Sequence, residues 1–227
     1  MVPFLQKKKG DILPPMKKQL AAFLKSIPAG ILIGIGGMVY LACCSDSANP
    51  SGRYIGALLF SVALLSILLF KMNLFTGMIG YVHEQKPSFA LSSLLALIGN
   101  FLAAFAAGWI RPASEKAIDL CKAKLEKDPF PTVLVDAILC GILIYVCVDA
   151  FKKQNRTIAV FLCIPTFILC GFEHCIADAY YFAAARMLTA SGAPLFLLLA
   201  IVGNSIGGLL IPLLLRLTNY LEREKTA

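Results

Sequence analysis

The chain has 227 residues, 59% of them hydrophobic and only 15% charged, with a formal net charge of +8 at pH 7. A water-soluble domain is nearer half apolar and a quarter charged, so most of this surface must face lipid rather than water. The basic excess gathers at the N-terminus and in short loops, without the aromatic-laced basic groove of a nucleic-acid binder, and instead marks flanks that set membrane orientation.

Residues 1–25 form a basic segment carrying Lys7, Lys8, Lys9, Lys17, Lys18 and Lys25. The first predicted span, 27–44, follows lysines as a signal peptide does, but it is long and a second span follows soon after, so it reads as a retained helix. Gly30 and Gly34 lie one turn apart in it, with Gly36 and Gly37 beyond, and small residues permit close helix contact. A polar loop, 45–53, closes it. The second apolar run, 54–70, stops at Lys71-Met72-Asn73 and resumes over 74–82, a piece too short to cross a bilayer alone. The third span is 89–110, and a charged loop, 111–131, follows.

The second half repeats that plan. Residues 132–151 are continuous, with Asp136 and Asp149 near the ends. The run 157–172 is interrupted at Glu173-His174 and resumes from Cys175 to about residue 185. The last span, 194–215, ends at Arg216 and a charged tail, 217–227. Each half reads whole, broken, whole, and the third spans share a string, Leu97-Ile98-Gly99-Asn100 against Ile201-Val202-Gly203-Asn204. An odd number of crossings per repeat turns the second copy upside down, which is the inverted-repeat plan of many transport folds. The expected fold is therefore an all-α integral membrane protein, one transport domain over 1–227, with six transmembrane helices as an inverted 3+3 repeat and two broken half-helix loops.

With both termini in the cytoplasm, thirteen of the 21 Lys and Arg residues fall inside and seven outside, leaving Lys71 within the membrane. That bias places the N-terminal segment and the tail on the cytoplasmic side of a plasma or inner membrane. The eight cysteines do not read as a disulfide or metal framework. Five lie in apolar segments, where a thiol behaves as a small hydrophobe, and no CxxC or zinc-type spacing occurs. No metal or cofactor is expected.

Backbone broken at membrane depth survives only when buried in protein or lining a wet cavity. Two such breaks facing each other would aim helix N-termini, with their partial positive charge and free N–H groups, at an anion. Setting Leu74-Phe75-Thr76 against Phe172-Glu173-His174 puts Thr76 opposite His174, a hydroxyl and an imidazole able to hydrogen-bond a small oxyanion. An ionisable residue inside a span is expensive and is a functional candidate by default.

The strings Leu74-Phe75-Thr76-Gly77, Gly171-Phe172-Glu173-His174-Cys175-Ile176-Ala177 and Gly203-Asn204-Ser205-Ile206-Gly207-Gly208 resemble the formate/nitrite transporter family, which includes hydrosulphide channels. The resemblance covers nearly the whole chain in order and spacing. It implies an aquaporin-like protomer assembled as a homopentamer, with a pore for small monovalent anions in each subunit and no enzymatic activity. By the same resemblance Thr76 and His174 are the central polar pair, and Phe60, Leu64, Leu74, Phe75 and Phe167 are hydrophobic constrictions. Asn73, Asn100, Glu173 and Asn204 support the loops. The chain departs from the family pattern at four positions, which favour Gly at Lys71, an acid at Asn73, Asn at Asp178 and Asn at Tyr145. An internal charge pair between Lys71 and Asp178 would compensate the gained cation and acid. The family's basic residue at the outer mouth has a loose counterpart in Lys127.

The expected activity is passive or proton-coupled transport of formate or nitrite, with hydrosulphide or a short-chain carboxylate as alternatives. In that mechanism His174 gives a proton, directly or indirectly, so that the anion crosses the apolar gates as its neutral acid. Two other classes compete. An aquaporin-like neutral-solute channel would carry Asn-Pro-Ala signatures, and Ala48-Asn49-Pro50 has the wrong order. An intramembrane enzyme would carry HExxH, GxSxG or paired catalytic acids, and none occurs.

Overall fold

The computed structural model describes residues 15–44, 50–111 and 113–224; Lys7, Lys8, Lys9, Lys225 and most of the first polar loop lie outside them. Ten α-helices account for most of the described chain. Helix α1 (Pro15–Leu24) leads into α2 (Ser26–Cys43), then α3 (Ser51–Leu69), a break, α4 (Phe75–Met78) with a 3₁₀ turn over Ile79–Glu84, and α5 (Pro87–Trp109). Helix α6 (Glu115–Leu125) and a π turn (Pro129–Val133) precede α7 (Leu134–Gln154), α8 (Ile158–Cys170), a break, α9 (Cys175–Ala184) and α10 (Ala193–Glu224). Five stretches are long and apolar enough to cross a membrane: Met16–Cys43, Ser51–Leu69, Pro87–Trp109, Pro129–Gln154 and Ala193–Arg223. Among the described residues α8 and α9 meet the same test only when taken together, as a pair bent by 54° at the second break.

The distribution of side chains is inverted relative to a soluble protein. Leu58, Leu59, Val62, Leu102 and Leu198 are exposed, whereas Thr76, Asn100, Glu173, His174, Asp178 and Asn204 are buried. In lipid the apolar exterior costs nothing, and polar groups must find partners within the fold.

Both breaks are built the same way. Helix α3 ends with the Lys71 N–H on the Leu68 carbonyl (3.2 Å) and the Met72 N–H on the Ile67 carbonyl (3.0 Å), Lys71 taking φ +53. Helix α8 ends with the Gly171 N–H on the Ile168 carbonyl (3.1 Å) and the Phe172 N–H on the Phe167 carbonyl (2.9 Å), Gly171 taking φ +73. This reversal needs a left-handed residue, free of strain for glycine but costing a lysine on the order of 1–2 kcal/mol. The chain then extends through Leu74 and through His174 before the next helix starts.

Helix packing repeats in the same sense: α2 lies on α3 and α5, α7 lies on α8 and α10, and α3 meets α8 between the halves. Gly30 and Gly141 occupy matching places, each so close to the backbone carbonyl of Asn100 or Asn204 that no Cβ fits. Helices α1 and α10 meet the same stretch of chain, since Gln19 donates to the Ser88 carbonyl (3.0 Å) at the start of α5 and Arg216 to the His83 carbonyl (3.3 Å) of the 3₁₀ turn before it.

Three sequence expectations need revision here. The segment up to Lys25 and the loop 111–131 both contain helices, α1 and α6, and α10 runs on past residue 215 to Glu224. The charged tail is helical because it continues the register of a span already formed, so no nucleation is needed. The two half-helices are also unequal: α4 is one turn long, α9 has ten residues.

Candidate functional site: the meeting of the two breaks

Each break is held by an asparagine from the third span of its own half. The Asn100 side-chain oxygen accepts from the Phe75 N–H (2.8 Å), while its Nδ2 donates to the carbonyls of Ser26 (2.7 Å) and Asn73 (2.9 Å). The Asn204 oxygen accepts from the Cys175 N–H (2.9 Å), and its Nδ2 donates to the carbonyls of Ala137 and Glu173, both at 2.8 Å. Two main-chain groups of each break, stranded by the loss of helix, are thus satisfied by one amide, which also ties the break to the first span of its half through Ser26 or Ala137. Asn73 fastens the first break further, donating through Nδ2 to the Ala22 carbonyl (3.0 Å) and through its own N–H to the Lys25 carbonyl (3.1 Å).

These caps fix the repeat register, and it differs from the one expected. Asn73, Leu74 and Phe75 correspond to Glu173, His174 and Cys175, so His174 is the counterpart of Leu74, and Thr76 lies two residues further on. The first amide of each second half is also occupied by its asparagine and does not face an anion.

Thr76 and His174 nonetheless meet, with Oγ1 and Nε2 at 3.0 Å, both residues 2% exposed. His174 caps α9, its Nδ1 accepting from the Ala177 N–H at 3.2 Å. An accepting Nδ1 carries no proton, so in the neutral ring the hydrogen sits on Nε2 and is donated to Thr76 Oγ1. The Thr76 hydroxyl hydrogen is left to be donated elsewhere.

Two cavities lie toward opposite ends of α3: the smaller is lined by His174, and the larger by Leu74 and Gly77, which flank Thr76 in the chain. One, of about 860 Å³, is lined by Leu64, Leu74, Lys71, Lys152 and Lys153 among others. The other, of about 210 Å³, is lined by Phe60, Phe167, His174, Arg53, Lys124 and Asp178 among others. Phe60 and Leu64 are one helical turn apart, so the apolar neck between the cavities is short. The Phe167 ring stacks on His174 (centroids 5.8 Å apart) and meets Phe60 edge to face (6.3 Å). Phe75 is buried and lines neither cavity.

Behind His174 lies a buried ion cluster. Glu173 Oε2 pairs with Lys124 Nζ at very short range, and Oε1 with Lys127 Nζ at 2.6 Å. Lys124 also reaches Asp178 Oδ1 (3.0 Å), and Lys127 reaches Asp136 Oδ2 (2.7 Å) and the Gly171 carbonyl (2.9 Å). Burial alone would pull both lysines down. The carboxylates outweigh it, Asp178 and Glu173 at Lys124, Glu173 and Asp136 at Lys127, so both ammonium groups are held above the ordinary lysine range and stay charged at neutral pH.

The expected pairing of Lys71 with Asp178 does not form. Asp178 is on Lys124 and lines the smaller cavity, while Lys71 lines the larger one at the far side of the neck. The helical conformation of α6 makes the difference. It puts Ala117, Cys121 and Lys124 on one buried face, and Lys124 thereby lands on the acid. Sequence reading missed Lys124 altogether, although its i, i+4, i+7 spacing with two small apolar residues marks it as inward-facing.

A model of the formate/nitrite transporter family matches residues 16–218. The uncharacterized transporter YrhG of Bacillus subtilis is 24% identical over 87% of this chain and 84% of its own length. The formate channel FocB of Escherichia coli is 22% identical over 81% of this chain and 73% of its own. Among solved structures, a pentameric formate channel with formate bound superposes with a TM-score of 0.75 at 20% identity, covering 90% of this chain and 98% of that one. An FNT family ion channel gives 0.73 at 19%, covering 86% and 88%.

Proposed function

Because the chain belongs to the formate/nitrite transporter family, we propose that it conducts small monovalent anions, formate or nitrite foremost, across a membrane between its two cavities. The observation that carries this reading is the Thr76–His174 bond, a buried polar centre between two cavities, His174 lining one and the neighbours of Thr76, Leu74 and Gly77, lining the other. Cations stand in both cavities, Arg53 and Lys124 in one and Lys71, Lys152 and Lys153 in the other, and raise the local concentration of anion. At the neck the anion sheds its water, a cost that apolar walls alone cannot offset. The Thr76 hydroxyl, polarised by the His174 Nε2–H behind it, donates to the anion there, and Phe60, Phe167, Leu64 and Leu74 exclude its hydration shell.

His174 acts in this scheme as a neutral donor that stiffens Thr76. Its Nδ1 is engaged by a backbone N–H, so it carries one ring proton, and giving that up outright would leave an imidazolate. A similar pentameric formate channel supports assembly as a homopentamer with one conduit per protomer. Both termini lie on the cytoplasmic side in this reading, in line with the lysine and arginine bias.

The test is light-scattering of proteoliposomes in isosmotic formate, nitrite or glycerol. Swelling is expected to be fast in formate and nitrite and no faster in glycerol than in protein-free vesicles. Glycerol entry without anion entry would replace this reading with a neutral-solute channel.

A further inference from the structure

Asp178 stands where the family pattern favours asparagine, and its surroundings assign it a task. It is 1% exposed and lines the smaller cavity one helical turn beyond His174. Its Oδ1 is on Lys124, whereas its Oδ2 has no hydrogen-bond partner among the described residues. Glu173 differs, since each of its oxygens holds an ammonium group. The cluster counts two ammonium groups, Lys124 and Lys127, against three carboxylates, Glu173, Asp178 and Asp136. An uncompensated negative charge at this depth is costly and would repel an arriving anion. Of the two fully buried acids, only Asp178 has an oxygen open to take a proton.

Other titratable groups do not answer the excess. Around Asp178 stand Cys121 on α6, Cys140 on α7, Cys175 and Tyr181 on α9, and Arg53 and Tyr40 across the cavity. Arg53 is exposed at the edge of that cavity, where water screens its charge, and among the described residues it forms no ion pair with the cluster; α5 and residues 193–215 of α10 carry no titratable side chain.

We propose that Asp178 carries a proton on Oδ2 and delivers it to the anion entering the smaller cavity. The Oδ2–H bond breaks as an H–X bond forms, and the carboxylate left behind stays on the Lys124 ammonium, which it shares with Glu173, so it is driven to take up a proton again. The neutral acid HX crosses the apolar neck, the Thr76 hydroxyl now donating to its unprotonated oxygen in place of the anion's, and a hydronium ion from the water of that cavity restores Asp178. One anion and one proton move together, with no net charge and no change of oxidation state. This rests on the transport reading above, and it supplies the proton that the geometry of His174 does not.

The experiment compares the full-length protein with Asp178→Asn, which keeps an oxygen for Lys124 but holds no exchangeable acid proton. Infrared spectra of the purified protein at neutral pH are expected to show a protonated-carboxyl stretch in the wild type that is lost in D178N. In proteoliposomes, wild-type formate uptake is expected to acidify the lumen and to ignore an imposed membrane potential. D178N is expected to lose that acidification and to become potential-sensitive. Absence of the band from the wild type, its persistence in D178N, or unchanged proton coupling in D178N each overturns the proposal. Absence of formate and nitrite flux from the wild type overturns the transport reading itself and with it the delivery step, a result distinct from flux with unaltered coupling.

Discussion

Asn204→Leu is expected to leave no stably folded protomer. The substitution keeps the bulk of the side chain but strands the Cys175 N–H and the Glu173 carbonyl and removes the tie to the Ala137 carbonyl of α7, all of them buried. Each buried group without a partner costs about 1–3 kcal/mol, so the loss is on the order of 3 kcal/mol or more, a large share of a marginal stability. Asn204→Asp offers a graded control, because it keeps the acceptor for Cys175 and loses both donors. Thermal unfolding in detergent and the yield of monodisperse protein would show the order wild type, N204D, N204L. A leucine variant with wild-type stability would mean that the break is not held by this amide.

Glu173→Leu is expected to have a comparable effect through electrostatics. The carboxylate neutralises Lys124 and Lys127 at once, and both would lose their shared partner while staying buried or half-buried. Removing one member of a buried ion pair typically costs about 3–5 kcal/mol. Asp178 and Asp136 remain to receive the two ammonium groups, which moves the expected loss toward the lower end of that range. Glu173→Gln preserves the shape and should fall between the two. Unfolding temperatures of the three proteins at neutral pH decide it; equal values would show that the cluster contributes nothing to the fold.

The breaks were legible because each interrupts an apolar run with residues that lipid does not tolerate, Lys71-Met72-Asn73 and Glu173-His174. Asn100 and Asn204 were legible through the string that the two third spans share, Leu97-Ile98-Gly99-Asn100 and Ile201-Val202-Gly203-Asn204. The register between the repeats was not legible. Thr76 and His174 look equivalent when the local strings are set side by side, yet the caps on Phe75 and Cys175 pair His174 with Leu74. Side-chain identity does not say which amide an asparagine will cap; only the packing of α5 and α10 does.

The ion cluster escaped for a related reason. Residues 111–131 are too charged to read as a span, but α6 is amphipathic and turns Lys124 inward. A loop lysine carries no sign of its partner until the helix docks beside α9. Asp178 was noticed as an unusual acid, and a nearby cation was rightly demanded of it. The demand was met from α6 and not from Lys71, because the neck separates Lys71 from that side of the fold.

The most direct test of the account is formate flux through Thr76→Val, an isosteric change that removes only the hydroxyl between the two cavities. A hydrogen bond is worth about 0.5–1.5 kcal/mol to the neutral acid and about 1.5–3 kcal/mol to the anion, so flux per correctly folded protomer should fall roughly two- to tenfold if only the acid meets Thr76 and up to a hundredfold if the anion does. Flux equal to wild type in that variant would place the anion's path somewhere other than the Thr76–His174 pair.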